Sequence, residues 1–181
     1  AYRANRNLDG GSSLYTWRSG VKHDASKVME FRREGDRLIN GFGDNVEIED
    51  DYVFPLLKSS DLGNGRVAIR TSVLVTQRHT GDDTSEIAQK APRTWSYLMQ
   101  HAEKLDGRKS SIYKNRPRFA VFGIGSYSFA PWKVAISGLY KRISFVALAP
   151  SNGQPVMVDD TCYSIPCQSE EEAELILELL S

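Results

Sequence analysis

Between Gly107 and Val158 the chain has no Asp or Glu, yet it holds Arg108, Lys109, Lys114, Arg116, Arg118, Lys133, Lys141 and Arg142. Tyr113, Phe119, Phe122, Tyr127, Phe129, Trp132, Tyr140 and Phe145 lie in the same segment. Cations at this density neutralise phosphates and release counterions, arginine reads guanine edges, and aromatic rings stack on unstacked bases. A solvated basic face over an aromatic core has the same composition, so composition alone leaves the two readings level. Phe119, Phe122 and Phe145 are expected in the core. Tyr127, Trp132 and Tyr140, close to Gly and Pro, are expected to be exposed.

Other residues imitate enzyme chemistry and fail its spacing tests. Gly123-Ile124-Gly125 follows an apolar run, but a dinucleotide loop needs a third glycine and an acid about 20 residues on, and none occurs before Asp159. The pair is read as a bend or a close backbone approach. No phosphate-cradling Walker loop is present. His23, His79 and His101 have no metal-ligand spacing to one another or to cysteine. His23-Asp24 and His101 with Glu103 could act as acid–base pairs, but isolated surface histidines are the simpler reading. Glu47, Glu49, Asp50 and Asp51 could mimic nuclease carboxylates and read better as a solvated turn. Cys162 and Cys167 are too few for a disulfide framework or a four-ligand zinc site.

The 181 residues carry 23 basic and 23 acidic side chains, a net charge of zero. The balance hides a division. Asp159 through Glu178 supply every charge after Ser151, all of them acidic, so residues 1–150 carry a net +7. A zero sum therefore does not exclude nucleic acid. No signal peptide is evident and the longest mostly apolar run is too short and broken for a membrane span, which predicts a soluble protein of a reducing, cytoplasmic compartment. The polar start and a helical pattern still running at Leu179-Leu180-Ser181 suggest a piece of a longer protein.

These residues must be positioned by a mixed α+β fold, rich in strands, with a central and a C-terminal helix. Short strands are predicted at Lys27–Phe31, Arg37–Ile39, Val46–Ile48 and Tyr52–Phe54, with a central strand at Val73–Thr76. Thr84–Lys90 reads as a short helix. Pro92–Leu105 is the best helix, with Trp95, Leu98, Met99, Ala102 and Leu105 on one face. Strands are expected again at Phe119–Phe122, Lys133–Ser137, Phe145–Ala149, Val156–Val158 and Thr161–Ile165. Ser169 with Glu172 forms a capping box that opens the last helix.

Several longer blocks carry a resemblance: WRSGVKHD from Trp17, YVFPLLKSSD from Tyr52, KSSIY from Lys109, FGIGSYSFAPWKVAISGLY from Phe122 and DDTCY from Asp159. In this order they resemble the target recognition domain that lies downstream of the catalytic domain in N6-adenine DNA methyltransferases of restriction–modification systems. The resemblance runs from about Trp17 to the C-terminus, with residues 1–16 as a polar extension. The family's catalytic half has an F-x-G-x-G cofactor loop and an [N/D/S]-P-P-[Y/F/W] motif; here Phe122-Gly123-Ile124-Gly125 has the wrong spacing and no Pro-Pro occurs. Some relatives carry Cys where Ala25 stands, and usually Asp in place of Ser126.

The resemblance implies sequence-specific recognition of double-stranded DNA, without a methyl-transfer site in this chain and so without enzymatic activity of its own. S-adenosylmethionine would be bound elsewhere in the full-length, bacterial-type enzyme, whose catalytic domain would be the second partner. Under this reading Arg108, Lys109, Lys114, Arg116 and Lys133 position phosphates, with Lys133 foremost because it lies in the longest block. Lys58, Ser59, Ser60, Ser126, Tyr127 and Trp132 would contact bases or grooves. The competing reading is a subunit-docking module whose basic stretch binds an acidic partner.

Overall fold

The computed structural model describes residues 15–65, 67–139 and 143–180. Tyr140, Lys141 and Arg142, and nearly all of the expected N-terminal extension, lie outside the described residues. In chain order the elements are β1 (Arg18–Ser19), α1 (Ser26–Met29), β2 (Glu30–Glu34), β3 (Arg37–Ile39), β4 (Asn45–Val46), β5 (Val53–Leu57) and β6 (Thr71–Leu74). Then follow α2 (Ile87–Lys90), α3 (Pro92–Gln100), α4 (Ala102–Asp106), β7 (Trp132–Ser137), β8 (Phe145–Leu148), β9 (Met157–Val158), β10 (Cys162–Cys167) and α5 (Glu170–Leu180). The mixed α+β class read from the sequence is the one observed.

The strands form two sheets. One has the order β4-β3-β2-β6-β5-β9 and the other β1-β10-β7-β8. Neighbouring strands run antiparallel except β5 and β9, which run parallel. Gly35 at φ +62° supplies the left-handed residue of the two-residue loop between β2 and β3, where Glu34 faces Arg37.

Three apolar clusters hold these layers together. Phe31, Val73, Leu98 and Leu105 belong to the first, where α2–α4 cover the six-stranded sheet. Leu57, Ala135, Leu148 and Cys162 belong to the second. Val134, Ile165, Ala173 and Ile176 belong to the third, under α5. Val134 and Ala135 are neighbours on β7, and strand side chains alternate between faces. The four-stranded sheet is therefore packed on both sides. β5 is buried at every position, with Leu56 in the first cluster and Leu57 in the second.

Local signals placed several elements well. β3 occupies its predicted span, β6 is central between β2 and β5, and the Ser169 hydroxyl caps α5 by accepting the Glu172 N–H at 3.3 Å. The Glu172 carboxylate accepts from Gln168 N–H at 2.7 Å, one residue before the position a capping box predicts.

Tertiary contacts overrode three predictions. Lys27–Phe31 is not one strand: Ser26–Met29 makes a helical turn before β2. There the Lys27 carbonyl accepts from Gly41 N–H at 2.9 Å and the Val28 carbonyl from the Tyr97 hydroxyl at 2.8 Å. The helix over 92–105 breaks at His101 (φ −104°, ψ 16°), and Met99 is exposed, while Thr94 and Tyr97 are buried. Thr94 is drawn in by the Glu49 carboxylate, which accepts from its N–H at 2.8 Å and its hydroxyl at 2.5 Å. Phe119–Phe122 is not a strand either, and Phe119 has φ +63°. Side chains satisfy its backbone: Thr76 donates to the Phe119 carbonyl, Arg108 to that of Ala120, and Gln77 accepts from Val121 N–H.

Candidate nucleic-acid interface

The blocks that carry the resemblance converge in space. Lys22 and Phe122 exchange backbone hydrogen bonds of 2.9 Å in both directions, and Val21 N–H donates to the Val158 carbonyl at 2.7 Å. The crossing is tight because two glycines meet there. A Cβ on Gly123 would lie 1.9 Å from the Gly20 carbonyl oxygen, and one on Gly20 would lie 2.0 Å from that of Val158. Gly123 also sits at φ +65°. The Gly123-Ile124-Gly125 pair thus serves close backbone approach, as read, and faces packed backbone rather than an open cradle. These residues do not fit an S-adenosylmethionine loop.

Arg108 fastens the loop that follows α4. Its Nε donates to the Leu105 carbonyl at 2.7 Å, and its Nη1 to those of Ala120 at 2.7 Å and His23 at 3.1 Å. The guanidinium lies 3.7 Å from the Tyr113 ring centroid. Burial lowers its pKa from the ordinary arginine value. Its Nε and Nη1 donors are spent on protein carbonyls and the residue is half-buried, which sets it apart from the freely exposed phosphate contact expected of it.

Lys133 is the larger correction. It is 2% exposed, and its Nζ donates to the Ala130 carbonyl at 2.7 Å. Burial pushes the ammonium down to about 8. A buried ammonium bonded to a backbone carbonyl presents no charge at the surface for a phosphate to meet. Trp132, expected to be exposed, is half-buried and packs against the cluster under α5.

The Lys58-Ser59-Ser60 block divides in the same way. Lys58 Nζ pairs with Glu30 at 2.6 Å, and the other Glu30 oxygen lies 3.3 Å from His23 Nε2. Burial opposes ionisation of Glu30, but the His23 and Lys58 hydrogen bonds outweigh it and lower its pKa. Ser59 is buried and donates to the Thr161 carbonyl at 3.1 Å, so it is a structural hydroxyl rather than a groove contact. Ser60 is exposed.

The remaining predicted residues, except Tyr127, face solvent. Lys109, Lys114, Arg116 and Ser126 are exposed, and among the described residues no carboxylate lies within 4.0 Å of the three cations. Arg116 lies 5.8 Å from the Phe122 ring, and Phe122 meets Tyr113 edge-on at 5.4 Å. Tyr127 is half-buried under Arg18, whose guanidinium is 5.4 Å from the ring centroid. Arg78 lies 4.3 Å from the Phe129 ring. Arg18 and Arg78 lie far in sequence from the basic segment, and composition does not group them with it. The motif blocks that begin and surround the turn at Ser126–Phe129 were the available signal.

The enzyme-like residues are accounted for structurally. Both ring nitrogens of His23 are engaged, Nδ1 by the Ala25 N–H at 3.2 Å and Nε2 by Glu30, so it is not a free base. His101 stacks on Phe42 at 5.5 Å. Burial works against ionisation of Glu49, but hydrogen bonds from the Thr94 hydroxyl and the Thr94 and Arg93 N–H groups hold its carboxyl down to about 2. The cysteines are buried free thiols, and burial pushes Cys162 up to about 12. Among the described residues no three metal-ligating side chains gather, and no helix is long and apolar enough to cross a membrane.

No family model matches the chain. It is 44% identical over its whole length to the Type II methyltransferase M.NspV of Nostoc sp., and spans 38% of that protein's length. Among solved structures, the Type IIL restriction-modification enzyme MmeI in complex with DNA superposes with a TM-score of 0.57 over 94% of this chain and 21% of MmeI, at 16% identity. That second likeness is one of fold. The chain therefore resembles, from end to end, one part of a restriction–modification methyltransferase, as its sequence blocks imply.

Proposed function

We infer that this chain is the target recognition part of an N6-adenine DNA methyltransferase of a restriction–modification system, working in the bacterial cytoplasm. It holds and reads duplex DNA while a catalytic part outside these residues flips the adenine and transfers methyl from S-adenosylmethionine. The observation that carries the reading is the whole-length identity to part of a Type II methyltransferase, in a chain without the cofactor and adenine-gripping motifs. Lys109, Lys114 and Arg116 are the phosphate contacts, and Ser60, Ser126 and Tyr127 the groove contacts. Exposure of Lys109, Lys114 and Arg116, with no carboxylate within 4.0 Å among the described residues, supports this division.

Anisotropy titration of a labelled duplex at moderate salt tests the reading. Duplex binding is the expected result. A chain that ignores duplex but associates with a methyltransferase catalytic part would establish the docking reading instead. Calorimetry with S-adenosylmethionine should give no heat, and binding heat would place the cofactor site in this chain.

A further inference from the structure

Three arginines, distant in sequence, converge on the segment Phe122–Phe129. Arg18 from β1 lies over Tyr127 at 5.4 Å, Arg78 over Phe129 at 4.3 Å and Arg116 over Phe122 at 5.8 Å. All three are exposed. Among the described residues no carboxylate lies within 4.0 Å of any of them. The other arginines near rings or acids differ. Arg118 lies 4.7 Å from the Phe119 ring, but Asp106 takes its donors at 2.6 Å. Arg32 is paired with Glu34 and Arg93 with Glu49. Arg33 and Arg70 lack a carboxylate too, yet have no ring beneath them among the described residues.

A ring under a guanidinium covers its weakly hydrated face and leaves the in-plane N–H edge outward. It also restricts the side chain, so less rotamer freedom is lost when an anion binds. The outward fork matches the two oxygens of a phosphodiester. A cleft of about 710 Å³ beside Arg78 contains Asp51, Asp82, Asp83 and Glu86. Three of these acids are engaged internally. Asp82 accepts from the backbone N–H of Arg78 and His79, Asp83 from Ser85, and Glu86 pairs with Lys90.

We propose that Arg18 and Arg78, held over the rings of Tyr127 and Phe129, join Arg116 in a set of DNA backbone contacts arranged around the Phe122–Phe129 turn. This rests on the reading of the chain as a duplex-binding part. It adds residues outside the acid-free segment and assigns the aromatic rings a supporting role beneath the arginines.

The test is the salt dependence of binding to a labelled random-sequence duplex, for the chain and for Arg18→Gln, Arg78→Gln and Arg118→Gln. The slope of log affinity against log salt should fall by about one for each of the first two and stay unchanged for the third. Arginine modification by phenylglyoxal, read by mass spectrometry on the unsubstituted chain, gives a second readout that needs no variant. Duplex should protect Arg18 and Arg78 and leave Arg118 as reactive as before. Wild-type binding with unchanged slopes and no protection would overturn this proposal alone. A wild-type chain that binds no duplex would overturn the duplex-binding reading with it.

Discussion

Arg108 and Lys133 lie in the same acid-free segment as Lys109, Lys114 and Arg116, and sequence composition treats all five alike. The fold separates them. Arg108, through Nε and Nη1, and Lys133 donate to carbonyl oxygens inside the protein, while the other three stand in solvent with no carboxylate within 4.0 Å among the described residues. The first pair should govern stability, and the second group should govern attraction to an anionic partner. A basic segment is thus two physical objects, and only one is available to a phosphate.

The largest effect should come from Arg108. Arg108→Ala leaves the carbonyls of Leu105, Ala120 and His23 without that partner, and should cost about 2–4 kcal/mol in urea denaturation. A loss below half a kcal/mol would erase the distinction between the two groups.

Glu49 sharpens the inner side of the comparison. Its carboxyl is held at about 2 in the fold against an ordinary 4.5. The stability it contributes is therefore complete above about 4.5 and is lost as pH falls towards about 2. Glu49→Ala should cost about 1–2 kcal/mol at neutral pH, discounted for partial exposure, and almost nothing near pH 2. Urea denaturation of both proteins across that range checks the sign.

Lys133 should behave in the opposite way. The folded chain releases its proton near pH 8, below the ordinary 10.5, so the unfolded chain binds more proton between those values. Wild-type stability gains from this group as pH rises from about 8 to 10.5. Lys133→Met removes that gain and should raise stability by about 1 kcal/mol at pH 7, by ending the burial of a charge. Duplex affinity should not change. Weakened binding with intact folding would return Lys133 to the outer group.

The smallest stability effects belong to the outer group itself. Lys109→Ala and Lys114→Ala should each shift stability by no more than about 0.5 kcal/mol. A larger thermal loss in either would show that these lysines are structural after all.

The local elements of this fold were legible where local chemistry decides them. The Ser169 cap, the Gly35-Asp36 turn and the β-branched run before Thr76 each state their conformation within a few residues. The stretch Arg118–Val121 was not legible, because Thr76, Gln77, Thr84 and Arg108 satisfy its backbone from elsewhere in the chain. The site followed the same rule. Exposure of Lys109, Lys114 and Arg116 agrees with their polar loop. Burial of Lys133 carried a faint signal: on a strand it shares its face with Ala135, which lies in the second apolar cluster. A family block holds residues packed inside the fold as well as exposed ones, and Lys133 is packed inside.

Salt dependence of duplex binding tests the central claim most directly, with Lys109→Ala, Lys114→Ala and Arg116→Ala combined and compared with Lys133→Met. The account predicts that the combined variant loses about three from the slope of log affinity against log salt, while Lys133→Met keeps the wild-type slope. An unchanged slope in the combined variant, or an equal loss in Lys133→Met, would contradict it.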